Sequence, residues 1–468
     1  MDSPSNPLRV SEKSVMKVAL TALAGTSIEW YDFFIYGTAA ALVFPALFFP
    51  PDMPPLIAQL ASFSTFAVGF LARPLGGVIF GHFGDRAGRK AALVTALLMM
   101  GAATTLIGLL PTYPTAGPLA TILLIVLRFV QGLAIGGQWA GAVLLATENA
   151  PPARRGFYGA FAQVGVPAGV ILANLVFLVV NAALPADAFL AWGWRVPFLL
   201  SIGLIVLAIY MQLKIEETAE FRELQAAAER RRRAAAQDSK GGATLPSSRS
   251  PVLEVIRTHP REIMLAAGAL MAIQVSFYIF TTFLIAYGTN PAGLALPRGT
   301  MLAAVLISAV LMIPALLISA HISDRYGRRR IFLAGAILVG VWGFVLFPMV
   351  DTGSFAAITL AMTIGQIFFS MMYGPQAALL AELFSAGVRY SGASLGYQMG
   401  AILGGALAPM IATALVAQFQ TALAVSVYIA LACVVTIISI MLLGETHQGT
   451  RQPAEPERTP GTELPGPG

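Results

Sequence analysis

The stretch GHFGDRAGRK at 81–90 returns as AHISDRYGRR at 320–329. His82, Asp85, Arg86, Gly88 and Arg89 recur as His321, Asp324, Arg325, Gly327 and Arg328, each 239 residues further on. Five identities in one register mark a duplicated unit. Each copy joins two apolar stretches, so each is a short charged loop between two buried or lipid-facing segments. The chain therefore reads as two like halves.

Composition says what the halves sit in. Of 468 residues, 57% are hydrophobic and 11% charged, where a soluble globular chain carries about 25% charged. So few charges cannot cover a water-facing surface, and most of the outer surface must face lipid. A single cysteine, Cys433, excludes a disulfide framework, a thiolate zinc site and an iron–sulfur cluster within one chain. The four histidines are scattered, and no metal centre is expected.

Twelve apolar stretches reach the length of about 20 residues that a bilayer crossing needs. They lie near 18–46, 56–81, 90–110, 118–146, 156–182, 194–213, 262–288, 299–321, 330–350, 355–381, 389–416 and 421–443. The sequence thus predicts an all-α membrane protein: segment 1–17, a six-helix half at 18–213, a linker at 214–261, a second half at 262–443, and a tail at 444–468. The Pro- and Gly-rich tail is expected to be disordered. Residues 1–17 are polar, without the short apolar core of a removable signal peptide.

Lys and Arg orient the spans. With the N-terminus inside, 25 of the 29 fall on one side, ten of them between Lys214 and Arg261. Arg195 and Arg298 lie at helix ends on the other side, and Arg73 and Arg128 lie inside spans. Both termini are expected to be cytoplasmic. The positive balance of +6 is a topology signal, with no nucleic-acid partner expected. The run Arg230–Arg233 reads as a solvated linker or a contact with anionic lipid.

The duplicated loop, the twelve spans and the long middle segment together resemble the major facilitator superfamily over about residues 15–447. Further stretches are similar to its metabolite:H+ symporter family: GTSIEWYDFFIYG at 25–37, ARPLGG at 72–77, RFVQGLAIGGQWAGA at 128–142, GWRVPFLL at 193–200, EETAEF at 216–221, VRYSGASLGYQ at 388–398 and GET at 444–446. The resemblance implies two pseudo-symmetric six-helix halves that alternate access to a midplane site. It also implies a substrate among organic acids or zwitterions, a proton as coupling ion, and a bacterial-type inner membrane. GAVLLATENAP at 141–151 is most similar to shikimate-type and aromatic-acid members. One departure stands out: Gln138 occupies a place in span 4 where the family usually has Glu. The tail lacks the heptads found in osmosensing members.

Ionisable groups in mid-membrane are costly and point to function. Glu29 and Asp32 are i,i+3 on one helix, and Tyr36 joins their face. Two carboxylates so close in a low dielectric do not both ionise easily, which suits one of them to carry a proton; the alternative is an acid tethered permanently to an arginine. Asp32 is the preferred carrier, with Glu29 tuning it. In span 4, Arg128, Gln131 and Gln138 form one polar stripe. The guanidinium fork of Arg128 can bind a carboxylate bidentately, or else serve Glu29 or Asp32 internally. Arg73, before Pro74, is a second candidate for anion binding or for an internal pair.

Neutral groups are expected to complete the site: Gln163 and Asn174 in span 5, Gln274 and Tyr278 in span 7, Gln366 and Tyr373 in span 10, and Tyr397 and Gln398 in span 11. Each taken alone reads more readily as an interhelical contact; together they suggest a site. By the resemblance, Asp85, Arg86 and Arg89, mirrored by Asp324, Arg325 and Arg328, form a cytoplasmic latch for the outward-facing state. Glu148, Glu382 and Arg389 are candidate partners there. His82 and His321 read as packing residues or pH sensors.

No phosphate loop and no nucleophilic triad can be assembled, so no enzyme activity and no cofactor beyond the proton are expected. The sequence reads as a proton-coupled symporter of a small organic anion, able to work as a monomer. An uncoupled facilitator or exchanger remains the alternative, favoured by Gln138. A metabolite-sensing receptor is the rival of another class, but neither 214–261 nor 444–468 resembles a signalling domain.

Overall fold

A computed structural model describes residues 12–87, 89–136, 154–214, 257–383 and 389–443. The linker at 215–256, the tail at 444–468, and Gly88, Gln138 and Glu148 lie outside the described residues. Twelve long helical rods run through the described chain. In the first half they are α1 (Glu12–Leu42), α2 (Pro55–Ala87), α3 (Arg89–Leu109), α4 (Pro118–Ile135), α5 (Arg155–Ala183) and α6 (Arg195–Lys214). In the second they are α7 (Pro260–Thr289), α8 (Arg298–Tyr326), α9 (Arg328–Asp351), α10 (Phe355–Leu383), α11 (Arg389–Phe419) and α12 (Leu423–Leu443). No strand occurs among the described residues.

The rods follow from composition. With lipid outside, every backbone N–H must be satisfied within its own segment, so each apolar run becomes a helix. The helices are apolar nearly all round: Leu71, Val78, Val206, Val341 and Leu431 are exposed and face outward. Two rods are interrupted by a π-helical turn, α7 at Ile279–Phe283 and α11 at Ala401–Ala406. Such turns are rare and gather at functional sites.

Close helix approach holds the first half together. A Cβ on Gly132 of α4 would stand 2.2 Å from the carbonyl oxygen of Gly69 on α2, and one on Gly136 would stand 1.9 Å from that of Arg73. Backbone meets backbone there, as small residues permit in membrane helices. Gly132→Val is expected to lower the thermal unfolding midpoint, because the obstacle is main chain and overpacking costs about 1–3 kcal/mol. An unchanged midpoint would show that α2 and α4 separate easily.

The two halves meet where α5 packs on α8 and α10, α2 on α11, and α1 on α7. At one end of the bundle, Gly327 (φ 95°) turns α8 into α9 in a backbone region that favours glycine. This is the second copy of the repeated loop. Asp324 reaches across to the other half, where its carboxylate accepts the backbone N–H of Gly156 and of Phe157, each at 2.9 Å. An acid at the start of α5 caps that helix and suits its dipole. Arg328, fully buried, donates to Asp324 and, at 3.3 Å, to Glu382 of α10. Arg325, one of the expected partners, is exposed instead. Asp85, Arg86, Arg89 and Arg389 lie on described helical backbone at the ends of α2, α3 and α11.

Candidate substrate and proton site

Arg73 and Arg128 are buried at 1% and 0% exposure, so neither is a surface charge. The α2–α4 contact brings them together, and Phe33 of α1 meets both, its ring centre 4.6 Å from the central carbon of each guanidinium. Arg73 also lies over Phe70 at 4.3 Å and Trp30 at 5.8 Å. Arg128 lies over Tyr36 at 4.1 Å and Phe66 at 4.8 Å. Ring faces carry negative charge density and stabilise a desolvated cation by up to about 2 kcal/mol. That offsets part of the burial cost and leaves the N–H groups available. Arg128 donates one hydrogen bond, to Gln131 at 3.2 Å. Nε and Nη2 of both arginines have no hydrogen-bond partner among the described residues. The ion pairs of the described residues belong to Arg328, with none on Arg73 or Arg128.

The acids are equally buried, Glu29 at 5% and Asp32 at 1%. Glu29 feels the charge of Arg73, whereas Asp32 faces the hydroxyl of Ser201 on α6. Their polar neighbours differ: Arg73 of α2 for Glu29 and Ser201 of α6 for Asp32. Oε1 of Glu29 and both oxygens of Asp32 lack a hydrogen-bond partner among the described residues.

A narrow cavity opens between the halves beside this cluster. Trp30 and Val166 line it from the first half; Ile273, Gln274, Phe277, Tyr278, Phe369, Tyr373 and Tyr397 line it from the second. Of the expected binding residues, Gln274, Tyr278, Tyr373 and Tyr397 are therefore brought together. Phe277, Phe369 and Tyr373 stack with ring planes within 30° of one another, giving one wall a flat aromatic surface. Tyr278 lies edge-on to Phe33 and Phe70 and links the cavity to both arginines.

Other expected residues have different work. Asn174 is not among the residues lining this cavity: its amide donates to the Val170 carbonyl at 2.9 Å and its oxygen accepts from Thr38 at 3.3 Å, tying α1 to α5. Tyr36 donates to Thr65 at 2.7 Å, presenting its ring, and not its hydroxyl, to Arg128. Gln131 passes from Arg128 to Thr104 of α3 at 2.7 Å, so it props the guanidinium. Gln163 and Gln398 cross between the halves to backbone carbonyls, of Tyr373 at 3.5 Å and Gly136 at 3.4 Å. Gln366 is buried on α10, its Oε1 unpartnered among the described residues, and is not among the cavity-lining side chains. The sequence reading missed Phe33, Trp30, Phe277, Phe369, Thr104 and Ser201. An aromatic or a hydroxyl in an apolar span carries no signal separating a site wall from ordinary packing.

Comparison with known proteins agrees with this architecture. A family model described as "Sugar (and other) transporter" matches residues 17–452. The inner membrane metabolite transport protein YhjE of Escherichia coli K12 is 39% identical over 389 residues, covering 82% of this chain and 84% of the relative. The shikimate transporter of the same organism is 39% identical over 387 residues, covering 82% and 84%. The glycine betaine/proline/ectoine/pipecolic acid transporter OusA of Dickeya dadantii is 30% identical over 377 residues, covering 80% and 73%. Among solved structures, the partially occluded inward open xylose transporter XylE from E. coli aligns with a TM-score of 0.69 at 17% identity, covering 93% of this chain and 99% of XylE, a likeness of fold. These relatives are transporters and not enzymes. Twelve spans in two packed halves, a duplicated loop, and buried charges beside a cavity between the halves thus place the chain in the major facilitator superfamily: it belongs to the sugar (and other) transporter family, among the metabolite transporters.

Proposed function

We propose that the chain is a proton-coupled symporter of a small organic acid anion, working by alternating access in an inner membrane with both termini cytoplasmic. The observation that carries this reading is the pair of buried guanidiniums, unpaired among the described residues, next to two buried carboxylates. Unpaired buried charge is costly. A substrate carboxylate offsets that cost when it enters, and a proton offsets it at Asp32 or Glu29. The aromatic wall, Gln274 and the tyrosine hydroxyls suit a solute with an apolar ring or chain and hydroxyl groups. A shikimate transporter among the relatives makes cyclic hydroxy acids the first solutes to try. Aromatic acids, dicarboxylates and tricarboxylates complete a thermal-shift panel. A ligand that binds only the folded state raises the midpoint, and the reading expects carboxylates to do so and their methyl esters to fail. Equal shifts from acids and esters would remove the anion from the proposal. An uncoupled facilitator or exchanger is the second reading, favoured by the neutral Gln138 in the span-4 stretch.

On this reading the contact of Asp324 with α5 closes the cytoplasmic side, and Asp85 serves the equivalent place in the other half. Asp324→Asn keeps the shape but loses the charge that Arg328 and the start of α5 hold. Labelling of a single cysteine at position 321 (His321→Cys, with Cys433→Ser) is expected to become faster from the cytoplasmic side. Unchanged labelling together with normal transport would contradict the latch.

A further inference from the structure

The carboxylate assigned to the proton faces away from the cavity assigned to the solute. Asp32 is absent from the cavity lining; it lies near the Ser201 hydroxyl of α6, with no hydrogen bond between the two. From the turn before α6 into the helix, residues 194, 197 and 201 share one face, since Trp194 already has helical dihedrals and i, i+3 and i+7 recur on one side of a helix. Each position on that face presents a polar group. The indole of Trp194 is fully buried among Phe44, Phe48 and Phe198. The Pro197 carbonyl accepts the Tyr31 hydroxyl at 2.8 Å. Ser201 is fully buried. Nε1 of Trp194, Oγ of Ser201 and both oxygens of Asp32 have no hydrogen-bond partner among the described residues. Buried polar atoms in native proteins are satisfied, commonly by internal water. At the outer end of this face, Arg195 lies over the Trp194 ring at 4.6 Å and donates to the carbonyls of Gly108 and Leu110, each at 2.7 Å. Trp194 is thereby held at the turn that opens α6.

We propose that protons reach Asp32 through the interior of the first half, along Trp194 at the turn before α6, the Tyr31–Pro197 contact and Ser201, on a path separate from the solute cavity between the halves. A file of water gives each unpartnered atom a partner and relays the proton by hydrogen-bond exchange. Asp32 takes it as a carboxyl O–H and releases it after the halves rock. Ser201 is a positioning residue: within the water file its hydroxyl is placed to donate to the carboxylate and to accept from the carboxylic acid. The charged or titratable groups around this stretch are Glu29, Tyr31 and Tyr36 on α1, Arg73 on α2, Arg128 on α4 and Tyr278 on α7, with Arg195 at the far end of α6. At this level α3 and α5 bring none among their described buried side chains. Separation of the two paths lets the proton arrive whether or not the solute fills the cavity.

This inference rests on the proton-coupled reading, and the test keeps the two apart. Proteoliposomes of wild type, Asp32→Asn, Ser201→Ala, Ser201→Thr and Trp194→Phe are loaded with a pH-sensitive dye. Solute-evoked proton entry is measured against external pH, beside counterflow of labelled solute, which needs no net proton movement. Ser201→Ala is expected to slow proton entry about fivefold, the worth of one hydrogen bond, and to shift its pH profile, with counterflow unchanged. Ser201→Thr, which keeps the hydroxyl, is expected to restore both, and Trp194→Phe to slow entry in the same sense. If wild type shows no solute-evoked proton entry, the coupled reading falls and this one with it. If wild type and Asp32→Asn behave as a coupled carrier requires but Ser201→Ala keeps the wild-type rate and profile, the path alone is refuted. Equal losses of proton entry and counterflow in Ser201→Ala would also refute it, by making Ser201 a packing residue.

Discussion

Asp32→Asn is expected to abolish solute accumulation driven by a pH gradient while counterflow between loaded vesicles continues. The amide mimics the protonated acid in size and charge, so the variant is fixed in the loaded form and has no proton to exchange. The site around it is enclosed: Asp32 is 1% exposed and its oxygens are unpartnered among the described residues. Desolvation penalises the charged form, so the neutral amide is expected to fold at least as well as the native acid. Loss of transport without loss of stability is therefore the signature. Glu29→Gln is expected to behave differently. Glu29 looks toward Arg73, so its loss removes an internal competitor for that guanidinium and changes solute affinity and the pH profile without ending coupling. If Glu29→Gln uncouples and Asp32→Asn does not, the two assignments exchange.

Arg128→Lys is expected to weaken solute binding about 100-fold, since breaking one partner of a buried charge pair costs roughly 2–5 kcal/mol. The ammonium keeps the charge but loses the planar fork that lies over Tyr36, Phe33 and Phe66 and that Gln131 steadies. Direct binding and the thermal midpoint should be read together. A folded variant with native affinity would remove Arg128 from the site and leave Arg73, nearer to Trp30 and Tyr278 of the cavity, as the anchor.

The fold was legible because two signals survive any detail of packing. The repeated loop shows duplication, and runs of apolar residues in lipid have only the helix open to them. The buried arginines were legible because a charge in such a run is conspicuous. The assembly around them was not. Periodicity gives the face of a helix but not the neighbour it meets. It put Glu29 and Asp32 on one face, but not beside Arg73 and Ser201, their neighbours from α2 and α6. It did not show Asn174 bonded to Thr38 and Val170. It gave no sign that Phe33 would lie against both guanidiniums, or that α7 and α11 would each carry a π-helical turn, because aromatic and small residues in a membrane span look alike whether they pack or bind.

The central claim is that a proton gradient does work on the solute. It is tested by reconstituting the purified protein, imposing an inward pH gradient with no solute gradient, and following the labelled acid that gives the largest shift in the thermal panel. The account predicts accumulation above the external concentration, collapsing when a protonophore is added. Uptake that stops at equal concentrations, indifferent to the pH gradient and to the protonophore, would contradict it.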